Sequence, residues 1–183
     1  LATHADVIVY KDQLVMMASQ FIERAKVLQD ELNTYQTSLN TEVKKQVDTI
    51  NDLVGKIKEL NRDIQKYEAT GEPANDYRDK RNEYLDELSQ YITFETNEQP
   101  DGTVMIYSEG GYLLDSVNQY FLTTKYESDT SKLLKPVWET GENYYRYDSL
   151  EYSSENNTDV GGLRGLLVAR GSYAATYVNV PQK

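Results

Sequence analysis

The chain of 183 residues contains no cysteine and a single histidine, His4. The lack of cysteine excludes disulfide bonds, thiolate metal sites and cysteine nucleophiles. One histidine near the start of the sequence gives no basis for a histidine-dependent catalytic dyad or triad. We therefore predict a protein that is not an enzyme, with no cofactor and no metal site.

Positive charge is also scarce, because 19 basic residues face 30 acidic ones and the net charge is −11. This balance argues against nucleic-acid binding and against docking on an anionic membrane. No stretch approaches the roughly 18 apolar residues of a membrane span, and the N-terminus lacks a basic-then-apolar secretory signal. We predict neither a nucleic-acid nor a membrane partner.

Helix breakers are nearly absent from the first third of the chain. No proline precedes Pro73, and Gly55 is the only glycine before Gly71. Apolar residues recur there at alternating steps of three and four, which predicts one long helix with a coiled-coil seam. The helix is predicted to start between Ala5 and Gln13 and to run to about Ala69.

The seam is imperfect near residue 40. Leu39, Val43 and Val47 follow one another at steps of four, a stutter that relaxes supercoiling. Because Asn40 and Thr41 fall there, a break in the helix is the alternative. The seam is also longer than the other predicted helices can cover, so we expect helices from outside this sequence to cover part of it.

A stop signal follows the long helix at Thr70–Pro73, where a glycine precedes a proline. Asn75 is predicted to cap a second helix over about 76–91. A short turn between two helices usually reverses the chain, so the two helices are predicted to form an antiparallel hairpin.

After Thr93 the sequence becomes richer in tyrosine, threonine and valine. Strands are predicted at 103–107, 112–114, 119–124 and 144–147, and a third helix is predicted around Leu163–Val168. The predicted class is α+β, a long antiparallel helical hairpin or coiled-coil-like bundle with a small antiparallel β subdomain. Its domains are predicted at 1–92 (rod), 93–160 (β subdomain) and 161–183 (a helix returning to the rod).

The residues predicted to serve helix packing and assembly lie along the seam and on the second helix. They are Leu28, Leu32, Leu39, Val47, Ile50, Val54, Ile57, Leu60, Ile64, Leu85 and Leu88. Asn51 and Asn61 lie beside or within the seam. There they either fix the register between helices as buried polar residues or face solvent.

Two further positions carry specific hypotheses. Gly55 costs about 1 kcal/mol relative to alanine inside a helix, so it is either a tolerated imperfection or a point of close approach by a neighbouring helix. Arg81 is predicted to pair with Glu68 or Asp63 across the hairpin.

The 16 tyrosines and Trp138 leave a second function open. Half of the tyrosines fall between residues 107 and 152, inside the predicted β subdomain. The alternative is therefore a surface-exposed coiled-coil stalk whose tyrosine-rich β head binds glycan or protein. Tyrosine is also a good strand former, so the same residues fit a purely structural use.

Four segments occur in an order that resembles a known family. They are VDTINDLVGKIKELNRDI (Val47–Ile64), NDYRDKRNEYLDELSQYI (Asn75–Ile92), DGTVMIYSEGGYLLD (Asp101–Asp115) and GGLRGLLVARG (Gly161–Gly171). The chain is similar in these segments to the central part of the bacterial flagellar hook-associated protein 1 family, the hook–filament junction proteins. The second segment followed by the third is the most specific part of the resemblance.

The resemblance implies a structural subunit of the bacterial flagellum. Such a subunit is exported by the flagellar secretion apparatus and assembles outside the cell as a ring between hook and filament. Its implied partners are copies of itself, the hook protein, the second hook-associated junction protein and a flagellar export chaperone.

Overall fold

The computed structural model describes residues 2–108, 111–127, 129, 131–139, 161–167 and 169. Within them the helices are α1 (Ala2–Glu68), α2 (Asn75–Ser89) and α3 (Gly162–Leu167). The strands are β1 (Glu95–Glu98), β2 (Val104–Ser108), β3 (Gly111–Leu114), β4 (Leu122–Tyr126) and β5 (Leu134–Trp138). Long helices with small antiparallel sheets make the protein α+β, as predicted.

Helix α1 begins at Ala2, earlier than predicted, and ends at Glu68. It is continuous at Asn40, so the alternative of a break there is wrong. Asparagine weakens helices when its side chain competes for neighbouring backbone groups. The Asn40 amide instead binds backbone atoms of Lys132 and Leu134, which removes that competition.

The chain divides into two compact units, Leu1–Ser38 and Leu39–Lys183. The described part of the first unit is entirely helical. Every residue from Val9 to Tyr35 is exposed. The first unit therefore has no hydrophobic core of its own among its described side chains.

The second unit has one hydrophobic core, in which the apolar face of α1 packs against α2, α3 and the strands. Its buried members are Val43, Val47, Ile50, Leu53, Val54, Ile57, Leu88, Ile92, Val104, Ile106, Leu113, Leu114, Leu122, Leu163 and Leu167. Since helices and strands contribute to the same cluster, neither layer of this unit is buried without the other.

Helices α1 and α2 run antiparallel, as the pairing of their side chains shows. Tyr67 contacts Tyr77 edge to face, with ring centroids 6.0 Å apart. Further along, the Nζ atom of Lys56 lies 5.4 Å from the ring centroid of Tyr84. The contacts step back along α1 as they advance along α2, which is the predicted hairpin.

The strands form two antiparallel sheets, one in the order β1-β2-β3 and one of β4 and β5. The strands predicted at 103–107, 112–114 and 119–124 correspond to β2, β3 and β4, with β4 shifted toward its C-terminal end. The strand predicted at 144–147 lies outside the described residues.

Two strands were not predicted. The β1 sequence ETNE is polar and fully exposed, so it has no alternation of apolar residues, and it forms because its backbone pairs with β2. The β5 strand contains Pro136, which disfavours a strand in sequence terms. Pro136 is tolerated opposite Thr124 in a sheet of only two strands.

Helix α3 is attached to the end of α2 through the backbone. The N–H groups of Gly162 and Leu163 donate to the carbonyls of Gln90 and Tyr91, at 2.8 and 3.1 Å. A Cβ atom at Gly161 would lie 2.3 Å from the Tyr91 oxygen, so only glycine fits this crossing. Most of the region 161–183, which was predicted to be a helix, lies outside the described residues.

Candidate functional site

The first unit carries an unpaired apolar surface on α1. Twelve large apolar side chains there are 54–74% exposed. They are Val9, Tyr10, Leu14, Val15, Met16, Met17, Phe21, Ile22, Val27, Leu28, Leu32 and Tyr35. We call this set the N-terminal apolar surface. It contains Leu28 and Leu32, which the sequence predicted as packing residues, and apolar surfaces of this extent mark interaction sites.

The N-terminal apolar surface changes width along the helix. At about 100° per residue, the four residues 14–17 (LVMM) point in four directions around the axis. A helix that is apolar all round belongs inside a bundle, so the segment 14–22 needs more than one covering element. Over residues 28–35 the apolar side chains occupy one side, which a single partner helix could cover.

The other predicted packing residues lie in the second unit. Five of α1 are at most 1% exposed, and one of α2 is fully buried: Val47, Ile50, Val54, Ile57, Ile64 and Leu88. Three are only partly buried: Leu39, Leu60 and Leu85. The structure thus places five of the eleven predicted residues in one core, with Leu85 packed against it, and leaves Leu28 and Leu32 exposed.

Several core residues were not predicted as packing residues. Leu53 is 1% exposed although it lies to one side of the predicted seam. Ile106 and Leu113 are fully buried on β2 and β3. In β2 the neighbours of Ile106, Met105 and Tyr107, are less buried. The sequence gives no signal for this difference, because Val104, Met105 and Ile106 are all apolar.

A charged network holds the turn between α1 and α2. Arg78 donates to both carboxylate oxygens of Glu68, at 2.7 and 2.8 Å, and also contacts Glu98 of β1. Gly102, in the turn before β2, has φ +81°. A Cβ atom there would lie 2.7 Å from Glu68 Oε2. The hairpin turn of the sheet therefore lies directly over the ion pair of the helices.

Arg81 is buried beneath this network, at 2% exposure. Its Nη1 atom donates to Asn61 Oδ1 at 3.0 Å and to the Gly102 carbonyl at 2.7 Å. The predicted direct pairing with Glu68 or Asp63 is wrong, because Arg78 lies closer to the turn and takes Glu68. Arg81 instead connects both helices to the turn before β2.

The predicted N-cap at Asn75 is also wrong. Asn75 is the first residue of α2, and Ala74 occupies the cap position without a side-chain cap. The Ala74 N–H donates to Glu68 Oε1 at 3.2 Å. The capping oxygen thus comes from the end of α1, which is already held there by Arg78.

The Glu68 carboxylate makes stability depend on pH. Hydrogen bonds from Arg78 and then from the Ala74 N–H lower the pKa of Glu68 to about 2, from 4.5. A lowered pKa in the folded state stabilises the fold above the unfolded value, and this stabilisation is lost as the pH falls through the folded value. We therefore expect the free energy of unfolding to fall between about pH 4.5 and 2. Glu68→Gln should flatten this profile in urea titrations, and a profile parallel to wild type would contradict the assignment.

Gly55 is the point of close approach that the sequence suggested, but a side chain rather than a helix approaches it. Gln119 Nε2 donates to the Asn51 carbonyl of α1 at 2.7 Å. A Cβ atom at Gly55 would lie 3.3 Å from Gln119 Oε1. Glycine therefore leaves room for Gln119 to reach the helix backbone.

A double-mutant cycle tests this explanation of Gly55. In a Gln119→Ala background, Gly55→Ala is expected to stabilise the protein by about 1 kcal/mol, the helix-propensity difference. In the wild-type background the gain should shrink or reverse, because Gln119 must move. The measurement is the free energy of unfolding in urea. An equal gain in both backgrounds would show that Gln119 does not constrain Gly55.

The described tyrosines of β2 and β3 do not form a flat binding platform. Tyr107 and Tyr112 are 40% and 45% exposed on β2 and β3. Their rings meet edge to face, 5.2 Å apart at an interplanar angle of 72°. Since sugar rings stack on open aromatic faces, this pair does not favour the glycan-binding alternative. Tyr144, Tyr145 and Tyr147 lie outside the described residues.

Among the described residues, no cluster of three or more histidine, cysteine, aspartate or glutamate side chains is arranged to hold a metal ion. None of the described helices combines the length and apolar character that crossing a membrane requires.

Comparisons with known proteins agree with the fold. The family model for the flagellar hook-associated protein FlgK helical domain matches residues 1–180. The structure resembles that of the flagellar hook junction protein FlgK from Burkholderia pseudomallei, with a TM-score of 0.61 and 22% sequence identity. The similarity covers 77% of this chain and 25% of that protein. No curated protein sequence matches the chain. Because the family model spans nearly the whole sequence, the chain belongs to the family of the flagellar hook-associated protein FlgK helical domain.

Proposed function

We propose that this chain is part of a structural subunit at the junction between the hook and the filament of the bacterial flagellum. It acts by helix packing and carries out no catalysis. The observation that supports this most is the N-terminal apolar surface, on a long helix of a flagellar hook-associated family. An apolar helix segment of this kind is stable in water only when other elements cover it.

The covering elements are helices that lie outside the residues the structure describes. The segment 14–22 is apolar all round and so packs inside a bundle, whereas residues 28–35 pack against one neighbour. Leu28 and Leu32 act as assembly residues, while the buried set from Val47 to Ile64 holds the second unit together. This division follows from exposure, since a residue already buried in its own core is not available to a partner.

The assembly, partners and location that we propose for the subunit come from the family resemblance. Copies of the subunit assemble into a ring between the hook protein and the second hook-associated junction protein, outside the cell. A flagellar export chaperone accompanies the subunit before assembly. The absence of cysteine from the chain is compatible with export in an unfolded state.

Complementation tests the proposal with the full-length protein that contains this chain. In cells that lack the junction subunit, the unaltered protein should restore filament attachment and swimming. The double variant Leu28→Asp plus Leu32→Asp should fail to do so, because two charges would enter the covered surface. A matched double variant on the same helix, Glu23→Gln plus Asp30→Asn, should complement normally.

Two outcomes would contradict the proposal. Normal filaments in cells that lack the protein would remove its role at the junction. Full complementation by the Leu28 and Leu32 double variant would show that the N-terminal apolar surface is not an assembly surface. Secretion of each variant into the medium is measured in parallel, which separates a defect in export from a defect in assembly.

A further inference from the structure

Two asparagines of α1 bind the backbone of strands through both atoms of their amides. Asn61 Nδ2 donates to the Val104 carbonyl at 2.8 Å, and its Oδ1 accepts from the Val104 N–H at 3.1 Å. Asn51 Nδ2 donates to the Leu122 carbonyl at 2.8 Å, and its Oδ1 accepts from the Leu122 N–H at 2.9 Å. Each amide therefore takes the place of a neighbouring strand. For these two residues the sequence left open a buried contact between helices or a position facing solvent. Asn61 does contact a neighbouring helix, through Arg81 of α2, whereas the contacts of both asparagines with strands were not predicted.

A third asparagine repeats the arrangement near the start of β5. Asn40 Nδ2 donates to the Lys132 carbonyl at 2.7 Å, and its Oδ1 accepts from the Leu134 N–H at 3.0 Å. Asn40, Asn51 and Asn61 are separated by 11 and 10 residues. Three turns of an α-helix contain about 10.8 residues, so the three amides recur on the side of α1 that meets the strands.

The bound backbone groups lie where strand pairing is incomplete. Leu122 and Leu134 are the first residues of β4 and β5. Val104 begins β2, and the pairing of β2 with β3 starts only at Ile106. A buried N–H or carbonyl without a partner is costly. An asparagine amide carries its N–H donor and its carbonyl acceptor on separate atoms of one planar group, so it can bind a backbone N–H and a backbone carbonyl at the same time.

The three contacts differ in their access to water. Asn61 is buried, at 5% exposure, and its Oδ1 also accepts from Arg81. Asn51 is partly buried, and its own carbonyl accepts from Gln119. The contact of Asn40 with Lys132 is exposed and its contact with Leu134 is partly buried. Leu134 is itself only partly buried, whereas Leu122 is buried. Water can replace an exposed hydrogen bond when it opens, but it cannot reach a buried one without further unfolding.

We infer that Asn40, Asn51 and Asn61 are three latches that position the β segments along α1 and open in that order. The β4–β5 sheet is released first at its Asn40 end and then at Asn51. Strand β2 is released last, because its contact with Asn61 is the most deeply buried of the three and Asn61 is also bound by Arg81. The inference rests on contacts within the second unit and does not depend on the proposed function.

Amide hydrogen exchange of the full chain, resolved by residue with NMR, measures the three latches separately. In the wild-type protein the N–H of Leu134 should exchange fastest, that of Leu122 more slowly and that of Val104 slowest. Asn51→Ala should speed exchange at Leu122 by about tenfold, the cost of leaving a partly buried group unpaired. Asn40→Ala should speed exchange at Leu134 by about threefold, because water replaces the lost bond. Alanine favours the helix itself, so faster exchange in the strands reports the lost latch.

Asn33→Ala is the matched control, because Asn33 is an exposed asparagine of the same helix. It should leave exchange at Leu122 and Leu134 within about twofold of wild type. Asn61→Ala should speed exchange at Val104. If that variant does not fold, the wild-type order of exchange and the variants at Asn40 and Asn51 still test the inference. Faster exchange at Val104 than at Leu134 in the wild type would overturn the order of release. An unchanged exchange rate of the Leu122 N–H in Asn51→Ala would show that the asparagine amides do not hold the strands on α1.

Discussion

Replacing Leu53 by alanine is expected to lower the free energy of unfolding by about 2–5 kcal/mol. Leu53 is 1% exposed in the core of the second unit. The variant would lose the transfer free energy of the removed atoms and would leave a cavity that neighbouring strands and helices refill only in part. Urea denaturation followed by circular dichroism gives the change directly.

The matched control for Leu53→Ala is Leu28→Ala on the same helix. Leu28 is 57% exposed, so its replacement should change the free energy of unfolding of this chain by no more than about 0.5 kcal/mol. The same substitution at two positions of one helix therefore distinguishes a leucine that stabilises the fold from a leucine that acts in assembly. A loss of several kcal/mol in Leu28→Ala would mean that the N-terminal apolar surface is already covered in this chain.

Replacing Arg81 by alanine is expected to cost about 3–5 kcal/mol, because the buried side chain is lost together with its hydrogen bonds to Asn61 and to the Gly102 carbonyl. The change would leave the Gly102 carbonyl without its donor and would open space between α1 and α2. Arg81→Met should cost less, about 1–3 kcal/mol, because methionine fills most of the space but still leaves that carbonyl unsatisfied. The measurement is again the free energy of unfolding in urea.

Two observations on Arg81 explain why Arg81→Met should lower the free energy of unfolding by less than Arg81→Ala. Burial lowers the pKa of Arg81, which reflects the cost of keeping a charge out of water. Its Nε atom has no hydrogen-bond partner among the described residues. Arg62→Ala is the control, since Arg62 is exposed on α1. An equal effect of Arg62→Ala and Arg81→Ala would contradict the central place of Arg81 in the network.

The long helix could be predicted because its determinants are local. Apolar spacing, the lack of proline and the stop signal at residues 70–73 act within a few turns, so α1 ends within one residue of its predicted end. The strands β2 and β3 were predicted for the same reason, since short runs rich in tyrosine, threonine and valine and the Asp101–Gly102 turn are readable in the sequence. Strand β1 was not, because a polar edge strand exists only through its pairing with β2.

The candidate site, like the fold, could be predicted from the sequence only in part. The sequence identified the apolar character of Leu28 and of Ile57 equally well, but it could not assign one to a surface and the other to a core. Only the structure shows that Ile57 is fully buried in the core of the second unit and that Leu28 is exposed in the first. Arg81 and Glu68 show the same limit, because the choice of partner depends on the position of the Gly102 turn.

The order of residues by itself determined that this protein has a long helix with an apolar seam, followed by a turn, a second helix and short strands. Periodicity, helix breakers and turn residues are properties of neighbouring positions in the chain. Only the tertiary structure decided that Asn40, Asn51 and Asn61 bind strands and that Gly55 makes room for Gln119. Those roles depend on groups that are distant in sequence and meet only after the chain folds.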